Sequence, residues 1–319
     1  MPNYQGVWSL STQFQNASGW PTGPLTSGRA LFSGGGNRIN TIDYVEIQTT
    51  GNATDFGDLT VGVDYPAAVG SATRGLNAGG LQSVDPQTVN VINYVTIASA
   101  GNATDFGDLL NSTYGMGGCS SSTRGVFAGG VIPTDTWTNV IQYVTIASVG
   151  NATDFGDMTS ASFDGTAGCS SPTRGVFAGG RNSSYTYQNT MEYITIASTG
   201  NATDFGDKTV SVAYLAAFSS PTRGISGGGF SPSTNVIDYI TIASTGNASD
   251  FGDLTAAKTQ LAGASTHVRG LFAGGSTGVL QDVIEYITIA SLGNGTDFGD
   301  LTVARNDLSG LSNAHGGLQ

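Results

Sequence analysis

Carboxylate and amide oxygens recur at one position along this chain, and oxygen ligands of this kind can coordinate calcium. They belong to the segment GNATDFGD or a one-letter variant of it, which begins at Gly51, Gly101, Gly150, Gly200, Gly246 and Gly293. Each copy has two aspartates after an asparagine, but the longer ligand series of an EF-hand loop is absent. Asparagine, aspartate and glycine are also typical of tight turns. We therefore expect structural turns and no metal site.

Catalytic motifs lack their partners in this sequence. DFG matches the magnesium-binding motif of protein kinases, yet no kinase-type lysine strand or catalytic loop accompanies it. The two histidines, His267 and His315, are too few for a copper oxidase site, and G-x-S-x-G, H-E-x-x-H and P-loop patterns are absent. The sequence predicts a protein that is not an enzyme and binds no cofactor.

The spacing of the motif indicates one supersecondary unit repeated six times, because the copies recur every 46 to 50 residues. The repeat from Asp154 to Gly200 predicts four short strands, DFGDMTSA, GTAGCSS, TRGVFAGG and TMEYITIAS. Short strands at this interval, with no helical periodicity, predict an all-β, six-bladed β-propeller. Its small-residue strand should lie where the blades converge on the axis.

The layout of each repeat resembles that of kelch repeats. Gly179 and Gly180 end one strand, and Tyr193 follows on the next, with Phe205 where that family has tryptophan. The resemblance covers residues 26–319 and implies kelch-like four-stranded blades. Residues 1–25 lie outside the repeat and are predicted to form an N-terminal arm for docking or packing. We expect Asp307–Asn313 to pair beside Gly28–Gly35 and close the ring, leaving no open edge.

A second motif, TRG before apolar residues and paired glycines, recurs between the GNATDFGD copies. Its arginines should each form a bidentate ion pair with a turn aspartate of the same or the adjacent blade. The arginines are Arg74, Arg124, Arg174, Arg223 and Arg269, with a degenerate first copy at Arg29. The cysteines Cys119 and Cys169 stand where other repeats have Val69 or Phe218, which predicts buried free thiols.

The net charge excludes one class of partner. A formal charge of −12 and a pI near 4.2 argue against nucleic acid, whose phosphates require a clustered basic surface. The sequence has no 18-residue apolar stretch, so we expect no membrane insertion, and its beginning shows no cleaved signal.

Two faces of the propeller should differ in sequence. The GNATDFGD and SS[SP]TRG turns form a repeated face, whereas loops such as VIPTDTWT and RNSSYTYQ form a variable face. Aromatic residues on the variable face are the candidate binding residues: Trp137, Tyr185, Tyr187, Phe230, Tyr65, Tyr114, Phe163 and Tyr214. We expect the first three to be exposed. The last four could contact a ligand or could plug the mouth of the axial channel.

Tandem copies of [IV][ED]Y[IV]TIAS-x-GNATDFGDLT with TRGVFAGG resemble repeat proteins of marine bacteriophages, especially those that infect cyanobacteria. The resemblance implies a virion or tail-fibre component located in the extracellular particle. Two functions remain open. One is a non-enzymatic adhesion module that binds a host-surface glycan or protein through the variable face. The other is a purely structural virion protein whose variable face contacts other virion subunits or further copies of itself.

Overall fold

Six four-stranded antiparallel sheets surround one axis in the computed structural model, which describes residues 25–85, 87–160 and 164–318. This arrangement confirms the predicted all-β, six-bladed propeller. The predicted arm, apart from Leu25, lies outside the described residues.

The strands of the first three blades are given from the axis outward. Blade 1 contains β26 (Ser309–Ser312), β1 (Arg29–Ser33), β2 (Thr41–Glu46) and β3 (Thr54–Asp58). Blade 2 contains β4 (Ala67–Gly70), β5 (Arg74–Ala78), β6 (Val91–Thr96) and β7 (Thr104–Asp108). Blade 3 contains β8 (Gly117–Ser120), β9 (Arg124–Ala128), β12 (Val140–Thr145) and β13 (Thr153–Asp157). Its variable-face loop adds the hairpin of β10 (Val131–Ile132) and β11 (Thr136–Trp137).

The other three blades have the same order. Blade 4 contains β14 (Ala167–Ser170), β15 (Arg174–Ala178), β16 (Thr190–Thr195) and β17 (Thr203–Asp207). Blade 5 contains β18 (Ala216–Ser219), β19 (Arg223–Gly227), β20 (Thr234–Thr241) and β21 (Ser249–Lys258). Blade 6 contains β22 (Ala262–Ser265), β23 (Arg269–Ala273), β24 (Val283–Thr288) and β25 (Thr296–Asp300).

The DFGD strand belongs to a different blade from the one the repeat suggests. If Asp154 to Gly200 formed one blade, the DFGD strand would lie beside the small-residue strand that follows it. In the structure this strand, β13, instead forms the outer edge of blade 3 by pairing with β12. The GNAT turn reverses the chain directly after β12, so the two strands pair as a local hairpin.

The innermost strands consist of small residues because neighbouring blades approach closely at the axis. A Cβ added to Gly118 would lie 2.5 Å from the carbonyl oxygen of Ala68 in the adjacent blade. Serines at the ends of these strands link the blades, since Ser170 Oγ donates to the Ser120 carbonyl at 2.8 Å and Ser219 Oγ donates to the Ser170 carbonyl at 2.6 Å. The expected position of the small-residue strand is therefore confirmed.

The ring closes as expected. Strand β26 pairs antiparallel with β1, with Ala30 opposite Ser312 and Ser33 opposite Ser309. The innermost strand of blade 1 thus comes from the end of the described chain and its other three strands from the beginning.

Both cysteines are buried free thiols, as expected. Burial raises the pKa of both thiols, that of Cys169 to about 12, so both stay protonated at neutral pH.

Successive copies of the GNATDFGD motif contact one another around the ring. Gly101 N donates to the Phe56 carbonyl at 2.7 Å, and Asn102 Oδ1 accepts from Asp58 N at 3.1 Å. Gly57 has a φ of 144°, and a Cβ there would lie 2.6 Å from the Gly101 carbonyl oxygen. The GNAT part of one blade therefore packs on the DFGD part of the preceding blade, which explains why both parts recur together.

The motif arginines do not pair with turn aspartates, so that prediction is wrong. Arg124 Nη1 donates to the Ile196 carbonyl of the next blade at 2.9 Å, and its guanidinium lies 4.5 Å from the centre of the Tyr143 ring. Equivalent contacts recur at Arg29, Arg74, Arg174, Arg223 and Arg269. Among the described residues, only Arg29 of these six forms an ion pair, and its partner is Glu46.

We expect Arg124→Met to lower the free energy of unfolding by about 1–3 kcal/mol, because it removes a charged donor and a cation–π contact but keeps the apolar stem. Urea denaturation measures the change. Asp154→Asn, which alters an exposed aspartate of β13, is the matched control and should change stability little. Equal stability of Arg124→Met and the parent, or a larger loss in Asp154→Asn, would contradict the contacts assigned to the arginine.

Candidate ligand-binding face

Six backbone amides form a closed ring where the axial channel meets the variable face. Each amide donates to the equivalent carbonyl of the neighbouring blade, at N···O distances of 2.6 to 3.1 Å. All six residues have φ between 56° and 70°. The residues are Tyr65, Gly115, Gly165, Tyr214, Gln260 and Asp307. The left-handed backbone directs each amide toward the preceding blade, so the ring holds the variable loops at fixed positions.

The amide ring shows which residues of the six loops before the innermost strands are equivalent. It does not align all the aromatic residues of these loops with one another. Tyr65 and Tyr214 are equivalent to each other, but blades 3 and 4 place glycine at this position. Tyr114 therefore lies one residue before the equivalent position. Phe163 precedes Gly165 by two residues and lies outside the described residues. In blade 1 the equivalent residue is Asp307.

Tyr65 and Tyr214 cover the mouth of the channel. Their ring centroids lie 5.6 Å apart, and Tyr114 lies 6.1 Å from Tyr65. Gln260 Nε2 donates to the Tyr65 hydroxyl at 2.7 Å. Together with the other residues of the amide ring, Tyr65 and Tyr214 line an axial cavity of about 70 Å³. Tyr65 and Tyr214 are each half-buried above this cavity, which is the position expected of a plug.

A partly buried ion pair contacts Tyr214 from one side. Arg181 Nε lies 2.6 Å from Asp164 Oδ2, and the same oxygen accepts from the Tyr214 hydroxyl at 2.8 Å. The guanidinium of Arg181 also lies 4.9 Å from the centre of the Tyr185 ring. Burial raises the pKa of Asp164, although Arg181 and Tyr214 oppose this shift. Sequence reasoning missed this cluster, because its residues come from two blades and are not repeated.

A second carboxylate beside the plug has a shifted pKa. Burial raises the pKa of Asp307 to about 7, and its contacts with Tyr65 and Gln260 limit the rise. Its Oδ1 and the Oδ1 of Asp164 are buried and have no hydrogen-bond partner among the described residues. Both carboxylates make the centre of the face polar beneath its aromatic rings.

The outer aromatic residues form two edge-to-face pairs. Trp137 packs against Tyr185 with centroids 5.6 Å apart, and Tyr187 packs against Phe230 at 5.8 Å. Tyr185 is 57% exposed and Phe230 is 44% exposed. The expected exposure is therefore correct for Tyr185 and wrong for Trp137 and Tyr187, which are half-buried by their partners. The exposed rings lie on blades 4 and 5, so the face is asymmetric.

Both histidines form hydrogen bonds with backbone groups near the repeated face. His315 Nε2 lies 3.0 Å from the Gly70 carbonyl oxygen, and His267 Nδ1 accepts from Leu25 N at 2.9 Å. Burial lowers the pKa of His315 to about 4. The described residues contain no group of three or more His, Cys, Asp or Glu side chains suited to a metal ion.

No helix in the described part of the chain is long and apolar enough to span a bilayer. In comparisons with known proteins, neither a protein-family model nor a curated protein matches this chain.

Proposed function

We propose that this propeller is a non-enzymatic adhesion module of a bacteriophage virion, in a tail fibre or similar appendage. It binds a host-surface glycan or protein through the variable face. The proposal draws on the resemblance of the repeats to marine phage repeat proteins and on the kelch-like layout of the paired glycines and aromatics. The particle, rather than the host cell, is the proposed location.

The observation that carries this proposal is the asymmetric aromatic surface. Among the described residues, exposed aromatic rings on the variable face are those of Tyr185 and Phe230, on two of six otherwise similar blades, and Trp137 and Tyr187 pack against them. Exposed aromatic residues supply flat apolar contacts at interfaces and often contribute much of the binding free energy. A rigid ring of blades that displays one individual patch suits specific recognition.

We expect the double variant Tyr185→Ala, Phe230→Ala to bind host cells much more weakly, with a loss on the order of 1–2 kcal/mol for each ring. Attachment of the purified, fluorescently labelled protein to marine cyanobacterial cells measures the effect. The fold should be preserved, because both side chains are substantially exposed.

The matched control is Val149→Ala, Leu292→Ala, which removes two apolar side chains, each 60% exposed, from turns on the repeated face. This variant should attach like the parent. Undiminished attachment of the folded aromatic variant would refute recognition through the variable face. Attachment to purified virion proteins but not to cells would favour the purely structural alternative.

A further inference from the structure

A groove of about 370 Å³ opens on the variable face between blades 2 and 3. Its volume falls within the range of roughly 300–1,000 Å³ that is typical of small-molecule sites. Leu81, Tyr114 and Ile132 supply an apolar lining, and the carboxylates of Asp85 and Asp135 lie at its edge. The groove therefore combines apolar contact area with negative charge.

The two carboxylates of the groove are not neutralised. Asp85 and Asp135 are exposed, and neither forms an ion pair or hydrogen bond with another described residue. The arginines Arg38 and Arg181 of the variable face already contact Asp64 and Asp164, at 3.6 and 2.6 Å. The residues lining the groove include no lysine or arginine. This charge distribution complements a cation and disfavours an anionic ligand.

The Tyr114 ring provides a further contact for a cation. Burial raises the pKa of Tyr114 to about 12; the charges of Asp164 and Asp135 contribute to the rise, and that of Arg181 opposes it. The phenol is therefore neutral, and the face of its ring attracts an ammonium group. Asp135 lies in the turn between β10 and β11, so its hairpin and the blade 2 loop form the two sides of the groove.

We infer that this groove binds an amino sugar with a free, protonated amine, which places its ammonium group beside Asp85, Asp135 and Tyr114. The sugar ring then packs on the apolar lining formed by Leu81, Tyr114 and Ile132. A sugar fits both features, because it offers a charged substituent and an apolar ring face within one small unit. The inference rests on the proposed function, since it names the chemistry of a glycan bound by the same face.

Isothermal titration calorimetry of the full chain with two oligosaccharides tests this inference. The probes are a β-1,4-linked glucosamine tetramer and its fully N-acetylated counterpart, which has the same length but no ammonium groups. We expect the glucosamine tetramer to bind at least about tenfold more tightly, equivalent to 1.4 kcal/mol. Asp85→Asn, Asp135→Asn should abolish that preference. Asp282→Asn, a change at an exposed aspartate on the blade 6 loop of the same face, should preserve it.

Equal binding of the two tetramers, or an unchanged preference in the double variant, would overturn the inference. Binding of a lysine-rich peptide through the two aspartates without binding of the glucosamine tetramer would also overturn it. If neither tetramer binds while attachment to cells still depends on Tyr185 and Phe230, the inference fails and the proposed function stands. If attachment is also independent of those rings, both fail.

Discussion

Deletion of residues 305–319 should lower the melting temperature by more than about 10 °C or prevent recovery of a soluble monomer. The deletion removes β26, the innermost strand of blade 1, and exposes the edge of β1. It also removes Leu311, which is 5% exposed in the core, and Arg305, which contacts Asp43 at 3.1 Å. Differential scanning calorimetry measures the change.

A shorter deletion tests whether the loss of stability comes from the loss of ring closure or from the loss of the final residues. Removal of residues 315–319 retains β26 but loses the hydrogen bond of His315 to Gly70. We expect a much smaller loss of stability from this shorter deletion. A synthetic peptide of residues 305–319 should restore part of the stability of the longer truncation. If that truncated protein melts within about a degree of the parent, β26 does not close the ring as described.

Lys208→Leu should destabilise the protein by about 3–5 kcal/mol, the range for removing one partner of a buried ion pair. Lys208 Nζ lies 2.8 Å from Asp238 Oδ2 and donates to Ser226 Oγ at 2.7 Å. Lys208 is 4% exposed and Asp238 is 1% exposed. Desolvation lowers the pKa of Lys208, and Asp238 opposes this shift. The substitution leaves a buried carboxylate without a cation.

The chain contains its own control for this experiment. Leu59 and Asn93 occupy the equivalent positions at the junction of blades 1 and 2, where the Thr60 hydroxyl donates to Asn93. The double variant Lys208→Leu, Asp238→Asn therefore introduces the residue pair that the fold already uses at that junction, where Asn77 stands in place of Ser226. We expect it to unfold within about 1 kcal/mol of the parent, as neutral replacements of buried pairs often do. Urea denaturation of both variants is the measurement. A double variant as unstable as Lys208→Leu would show that packing, rather than the unpaired carboxylate, causes the loss.

The sequence by itself determined the architecture. Six similar repeats, each with a small-residue strand and paired glycines, predicted the six blades and the position of the innermost strand. The missing inner strand at the beginning and the extra one at the end predicted the pairing of β26 with β1. These features were predictable because the same backbone contacts recur in each blade and require the same residues each time.

Only the tertiary structure decided which side chains meet. Arg124 bonds to a carbonyl 72 residues away in the next blade, a backbone acceptor that no residue type identifies in the sequence. Tyr114 and Phe163 matched Tyr65 in residue type, yet the amide ring places glycine at the equivalent positions. A shift of one or two residues within a loop changes where a side chain points without changing its composition. The contacts of Arg181 with Asp164 and Tyr185 likewise depend on how non-repeated loops fold over the axis, so they became visible only in three dimensions.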